Sequence, residues 1–309
     1  MRSWMVTTRQ WLGYLAVRCV ICVIQALPVE VSWQATRLIG WLASDVLKLR
    51  GRVVRDNLAH AYPDLSARAR ARMARQMWQH LFGMIVEIAL LPRKVHRTNW
   101  RRFVRLGGRR RLMLRLLDDR PTIICSAHYG NFEVAGYVLG LLGFPTYTVA
   151  RTLDNPFLDR FVNRFRGMTG QFILAKKGGY EKIVEVLESQ GTMTFLADQY
   201  AGRKGCWVDF FGRPASVHKA IALFALNHDA PLAMGYARRV GGPLEYELVT
   251  PAVIDPRDDR AEVQGARELT RWFTGEIEAF VREAPEQYWW LHRRWKDRRP
   301  AAGKRREAA

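Results

Sequence analysis

Residues 11–28 form a nearly continuous apolar run in which Arg18 is the only charged residue. Eighteen helical residues at about 1.5 Å each reach roughly 27 Å, just short of a bilayer's hydrocarbon core. Residues 10–29 therefore read as an apolar membrane anchor helix, either spanning or interfacial, with Arg18 favouring a shallow position. No small-residue cleavage site follows, and Pro28-Val29-Glu30 leads straight into another helical pattern. Helical periodicity continues over 37–52 and 66–91, the second opening on Ser66 as an N-cap. The rhythm then changes. Short apolar runs at 121–127, 146–150, 172–174 and 192–197 predict strands, alternating with helices at 132–142, 156–167 and 180–190. Further strands are expected at 207–211, 232–239 and 245–253, with helices at 217–227 and 261–283. This alternation predicts an α/β fold with a mixed sheet flanked by helices, behind an N-terminal anchor. The expected division is an anchor over 1–29, an α/β domain over 30–298 and a basic tail over 299–309.

Charge sharpens this picture. The 309 residues carry 49 Lys and Arg against 29 Asp and Glu, a net charge of +20 that favours anionic partners. A hydrophobic content of 49% excludes disorder over most of the length. Ten basic residues and no acid fall within 93–117, interleaved with Trp100, Phe103 and Leu106, a pattern suited to anionic headgroups. The last nineteen residues carry eight more basic residues, preceded by Tyr288, Trp289 and Trp290, which read as an interfacial aromatic belt. Nucleic acid is not expected, since no helix-turn-helix, zinc-finger or RNP pattern is present. The four cysteines form no disulfide framework, and Cys19 and Cys22 read as apolar side chains. No metal-ligand cluster is visible and no cofactor is implied.

The chemistry-bearing segment is Ser126-Ala-His128-Tyr-Gly-Asn131-Phe-Glu133. His128 lies where a strand gives way to a helix, the edge where open α/β sheets place their ligands. An imidazole there can act as general base if a carboxylate fixes its tautomer. Gly130 relaxes the turn, Asn131 caps the helix, and free N–H groups at the helix start suit an oxyanion. Spacing alone selects nothing, because a second His-x4-Asp lies at His292 and Asp297. Only the first sits in a strand–turn–helix context.

The segment resembles the H-x4-D/E motif of the bacterial lipid A biosynthesis lauroyl/myristoyl acyltransferases, within the wider glycerolipid (lysophospholipid acyltransferase-like) group. The resemblance extends through Met77-Trp-Gln-His-Leu-Phe-Gly83, Ala150-Arg-Thr-Leu-Asp-Asn-Pro-Phe-Leu-Asp159 and Ala197-Asp-Gln199. It continues through Val208-Asp-Phe-Phe-Gly-Arg-Pro-Ala215 and Pro285-Glu-Gln-Tyr-Trp-Trp290, so the blocks run in order over roughly residues 5–298. It implies transfer of a fatty acyl chain from acyl carrier protein or acyl-CoA to a hydroxyl of a phosphorylated glycolipid, at the cytoplasmic face of the inner membrane. His128 is then the base and Glu133 its first-ranked orienting partner, with Asp198 the competitor for that role. Arg151 is the candidate for an oxyanion or phosphate, Gln199 for hydrogen bonding, and Arg164 and Arg166 for headgroup phosphates. No G-x-S-x-G elbow calls for an acyl-enzyme, so direct attack on the thioester is expected. Two alternatives stand: a same-fold enzyme acting on another glycolipid or a lysophospholipid, and a binding protein without activity.

Overall fold

A computed structural model describes residues 2–176, 178–258 and 265–296. The chain opens on α1 (Arg2–Ala26), breaks at Leu27-Pro28, and resumes as α2 (Val29–Trp41). A π-helical turn, Leu42–Val46, ends this segment. Lys48 and Arg50 then take left-handed backbone (φ 48° and 49°) and redirect the chain into α3 (Gly51–Ala61). The helix expected over 37–52 is therefore interrupted. α4 (Ala67–Lys94) starts as anticipated, with Ser66 Oγ accepting from the Ala69 N–H at 3.2 Å. Its buried stripe includes Met77, His80, Met84, Glu87 and Leu91, three and four residues apart, so one helix face enters the core.

β1 (Val104–Gly107) and α5 (Arg109–Leu116) lead into the α/β core. There β2 (Thr122–Ser126), α6 (Phe132–Leu141), β3 (Thr146–Ala150), α7 (Pro156–Gly167), β4 (Gln171–Ala175), α8 (Tyr180–Glu188) and β5 (Thr192–Leu196) follow in order. A hairpin of β6 (Cys206–Phe210) and β7 (Arg213–Val217) precedes α9 (Ala220–Asn227). β8 (Leu232–Met234), β9 (Tyr236–Arg239), β10 (Tyr246–Val249), β11 (Val253–Ile254) and α10 (Ala266–Glu283) complete the described elements.

The central sheet has the order β11-β8-β2-β5-β3-β4, and only β11 runs antiparallel to its neighbour. Every residue of β2 is buried, as expected of a parallel strand covered on both faces. A smaller sheet has the order β1-β10-β9. The single strand expected over 232–239 thus divides at Gly235, whose N–H still bonds Cys125 O at 3.0 Å before the chain leaves for the second sheet.

Three surface readings change. Among the described residues no helix is long and apolar enough to cross a membrane, so the spanning form of the anchor is not met. Arg9, Gln10, Arg18 and Gln25 dilute the apolar character of α1, although Trp11, Leu12, Val20 and Val23 remain exposed on it. The aromatic belt is not a surface feature: Tyr288 and Trp290 are buried in the main core. Within 93–117, Trp100, Val104 and Leu112 face a second core, and only Leu114 and Leu117 of the large apolar side chains are exposed. Of the basic C-terminal segment, residues 297–309 lie outside the described residues. Arg294 before them is buried and donates to Ser216 O at 2.9 Å.

Candidate active site

The site follows from one strand register. β2 and β5 pair in parallel with Ser126 opposite Leu196, and the Ala197 N–H continues the ladder to Ser126 O at 2.8 Å. His128 and Asp198 each lie two residues beyond that pair, side by side at the strands' C-terminal ends. His128 Nδ1 and Asp198 Oδ1 are 2.8 Å apart. Burial would raise the Asp198 carboxyl, but the charge and hydrogen bond of His128 outweigh it and hold it down at about 2. An ionised carboxylate at Nδ1 fixes the neutral imidazole with its proton on that nitrogen. Nε2 is then the free base, and the Gln199 amide lies 3.4 Å from it.

The carboxylate in contact with His128 is therefore Asp198, and the first-ranked expectation of that contact for Glu133 is not met. Glu133 sits in the first turn of α6 and forms a bidentate ion pair with Arg166 of α7, with Nε–Oε2 at 3.0 Å. That pairing also removes Arg166 as an uncommitted phosphate ligand. Arg151 is in the wall of the cavity that His128 opens on, its side chain 78% exposed and in an ion pair with Asp154 at 2.6 Å. Arg164 is exposed on α7 and lines a different groove.

Asn131, read from the sequence as a candidate substrate contact, turns inward. It is fully buried, caps α6 by accepting from the Val134 N–H at 3.3 Å, and donates to Tyr246 Oη at 3.0 Å. The N–H groups of Gly130 and Asn131 are likewise committed, to Gln287 O and Ala237 O. Gly130 has φ 57°, and a Cβ there would meet Ala237 O at 1.9 Å, so only glycine fits this turn.

A buried polar cluster braces the same turn. Glu87 pairs with Arg239, with Nε–Oε1 at 3.0 Å, and accepts from Tyr246 Oη and from the Leu244 N–H. Arg239 Nη1 donates to His80 Nδ1 at 2.6 Å, and His80 Nε2 donates to Gly130 O at 3.0 Å. These two contacts demand a neutral His80. Burial and then the Arg239 charge lower its pKa from 6.5 to about 3. A depressed histidine contributes stability in full above the unfolded value and loses it as pH falls from there toward the folded one. Between pH 6.5 and 5 this group should cost about 2 kcal/mol. Urea unfolding of His80→Gln should show a correspondingly shallower loss over that window; an unchanged slope would contradict the assignment.

Sequence reading missed the segment that closes the site behind His128. Trp289 N–H donates to His128 O at 3.0 Å, and Tyr129 bridges Tyr288. The Trp289 and His292 rings each lie 5.0 Å from the His128 ring, and Phe132 lies at 5.3 Å. The signal was present in the Pro285–Trp290 block, but its aromatic residues suggested a membrane surface.

His128 opens on a cavity of about 680 Å³. Its lining is largely apolar, with Leu81, Met84, Ile85, Leu139 and Phe224, while Gln199 and the Glu133–Arg166 pair supply polar groups. Apolar volume behind a few convergent polar groups is the usual form of a small-molecule site. The described residues contain no group of His, Cys, Asp and Glu that would hold a metal.

The profile of the bacterial lipid A biosynthesis acyltransferases matches residues 2–297. The chain is 25% identical over 297 residues to a lipid A biosynthesis lauroyltransferase of Escherichia coli K12, covering 94% of this chain and 93% of the relative. It is 26% identical over 296 residues to the palmitoleoyltransferase of the same organism, covering 94% and 92%. Among solved structures, the 1-acyl-sn-glycerophosphate acyltransferase PlsC of Thermotoga maritima aligns over 84% of this chain and 99% of its own, at a TM-score of 0.41 and 14% identity. The chain belongs to the bacterial lipid A biosynthesis acyltransferase family and is an acyltransferase.

Proposed function

We propose that the chain transfers a fatty acyl group from acyl carrier protein or acyl-CoA to a hydroxyl of a phosphorylated lipid A precursor. The observation that carries this reading is the His128–Asp198 pair, with His128 in the wall of a largely apolar cavity. His128 Nε2 takes the proton of the acceptor hydroxyl as its oxygen attacks the thioester carbonyl. The C–O bond forms, the C–S bond breaks, and the imidazolium returns the proton to the leaving thiolate. Asp198 stabilises the imidazolium while it exists. The hydrocarbon chain occupies this cavity, where its burial from water favours binding.

The reaction is placed at the cytoplasmic face of the inner membrane. Support comes from the exposed apolar side chains of the first two helices and the turn after them, among them Trp11, Leu12, Leu38, Trp41 and Leu47. Apolar side chains exposed in such number suit contact with a membrane surface. The +20 charge attracts an acidic carrier, an anionic bilayer and a phosphorylated acceptor.

The test is acyl transfer by purified protein, with labelled acyl carrier protein and acyl-CoA thioesters and a panel of acceptors. Product should form on a tetra-acylated Kdo-lipid A precursor and not on lysophospholipids. Transfer confined to another lipid would replace the acceptor while keeping the chemistry. Intact thioester with every acceptor would defeat the catalytic reading.

A further inference from the structure

Away from His128, α1 and α7 enclose a second groove of about 580 Å³. Two hydrogen bonds fix the helices at one end: Asn155 Nδ2 donates to Gln10 O at 2.7 Å, and Gln10 Nε2 donates to Asp154 O at 3.1 Å. Tyr14 packs on Phe157 and Phe161, with ring centres 6.2 and 6.1 Å apart. Arg18, Arg160 and Arg164 line the groove, and no carboxylate does.

Two of these guanidinium groups are held in place, and among the described residues no carboxylate forms an ion pair with any of the three. Arg18 lies over the Phe161 ring at 5.1 Å and donates to Tyr14 Oη at 3.0 Å. Arg160 lies over Phe157 at 5.3 Å and donates through Nε to Pro156 O at 3.3 Å. Each contact uses a ring face and one N–H, leaving the other donors for a ligand. Arg160 and Arg164 are four residues apart on one helix face, where like charges repel. A bound anion removes that repulsion. The rest of the groove's lining is largely apolar, with Ile21, Phe165 and the exposed Met168. An anion with hydrocarbon attached matches both features.

We propose that this groove binds the phosphate of a membrane lipid, at a site separate from the cavity that His128 opens on. Arginine suits the phosphate because its planar donors match the oxygens in pairs. The phosphate belongs either to the acyl acceptor or to a bulk anionic phospholipid, which present the same chemistry.

Sedimentation of the full chain with vesicles tests the assignment without relying on turnover, so it can fail independently of the catalytic reading. Vesicles of a phosphate-free glycolipid carry phosphatidic acid or, at matched surface charge, a fatty-acid carboxylate. The unmodified chain should favour phosphate vesicles by about tenfold. The Arg160→Gln/Arg164→Gln double variant should lose that preference yet still bind through overall charge. Glutamine keeps helix propensity at these exposed positions, so folding is preserved. Soluble acceptor with its phosphate, but not without it, should displace the chain if the phosphate is the acceptor's. Displacement by neither form assigns the groove to bulk phospholipid. Equal binding to both vesicle types, or an undiminished preference in the double variant, overturns the proposal. So does release by an acidic carrier protein that the double variant no longer responds to.

Discussion

His128→Asn should lower kcat/KM for acyl transfer by about 10²–10⁴-fold, the usual worth of a positioned general base. Asparagine is chosen because its amide nitrogen falls close to the position of Nδ1 and can still donate to Asp198. Alanine would leave a buried carboxylate without its partner, and a folding defect would then mimic a catalytic one. With asparagine the thermal midpoint should stay close to that of the unmodified chain, while no nitrogen remains to accept the hydroxyl proton. The check is single-turnover transfer from acyl carrier protein at saturating acceptor, together with calorimetry. A variant that is stable and keeps more than about a tenth of the rate would remove His128 from the role of base.

Asp198→Asn and Glu133→Gln should separate by two orders of magnitude or more. An asparagine amide at 198 can donate to His128 Nδ1, which drives the proton onto Nε2 and gives a tautomer unable to act as base; a loss of roughly 10³–10⁴-fold follows. Asp198 is held ionised at about 2 in the folded protein, so no accessible assay pH reproduces this loss by simple protonation. Glu133→Gln still accepts hydrogen bonds from Arg166 but removes the counter-charge in the cavity wall. Its effect should be within about tenfold and appear mainly in KM, because the change reaches the reaction through Arg166. Parallel kinetics on the two variants decide the matter. Equal losses, or a larger loss at Glu133, would return the orienting role to the motif carboxylate.

Why the spacing pointed to a carboxylate that does not touch His128 is a matter of local geometry. His128 precedes the left-handed Gly130 turn, and Glu133 follows it on α6. The turn leaves the two side chains on one cavity but with different partners, and Glu133 meets Arg166 of the neighbouring helix. Five positions in sequence thus gave no information about contact. Asp198 is 70 residues from His128 along the chain, and only the β2–β5 register unites them.

The apolar anchor shows a related limit. The run over 11–28 is a real property of the sequence and forms helix as far as Ala26, yet the helix carries enough polar residues to fall short of a span. The Tyr288–Trp290 block shows the opposite error. Aromatic residues beside a basic segment look interfacial in one dimension, whereas the fold buries two of them and places Trp289 on His128.

What the sequence determined by itself was local: the Ser66 cap, the alternation of strands and helices from 121 to 197, and His128 at a strand-to-helix turn. Those features depend on periodicity and capping, which neighbouring residues specify directly. The tertiary structure decided which carboxylate serves the histidine, where Glu133 and Arg166 spend their charge, and which aromatic residues are buried. Such choices rest on strand register and helix packing between distant segments. Parallel strands need long crossovers, so the contacts that make the site are the ones sequence proximity cannot encode.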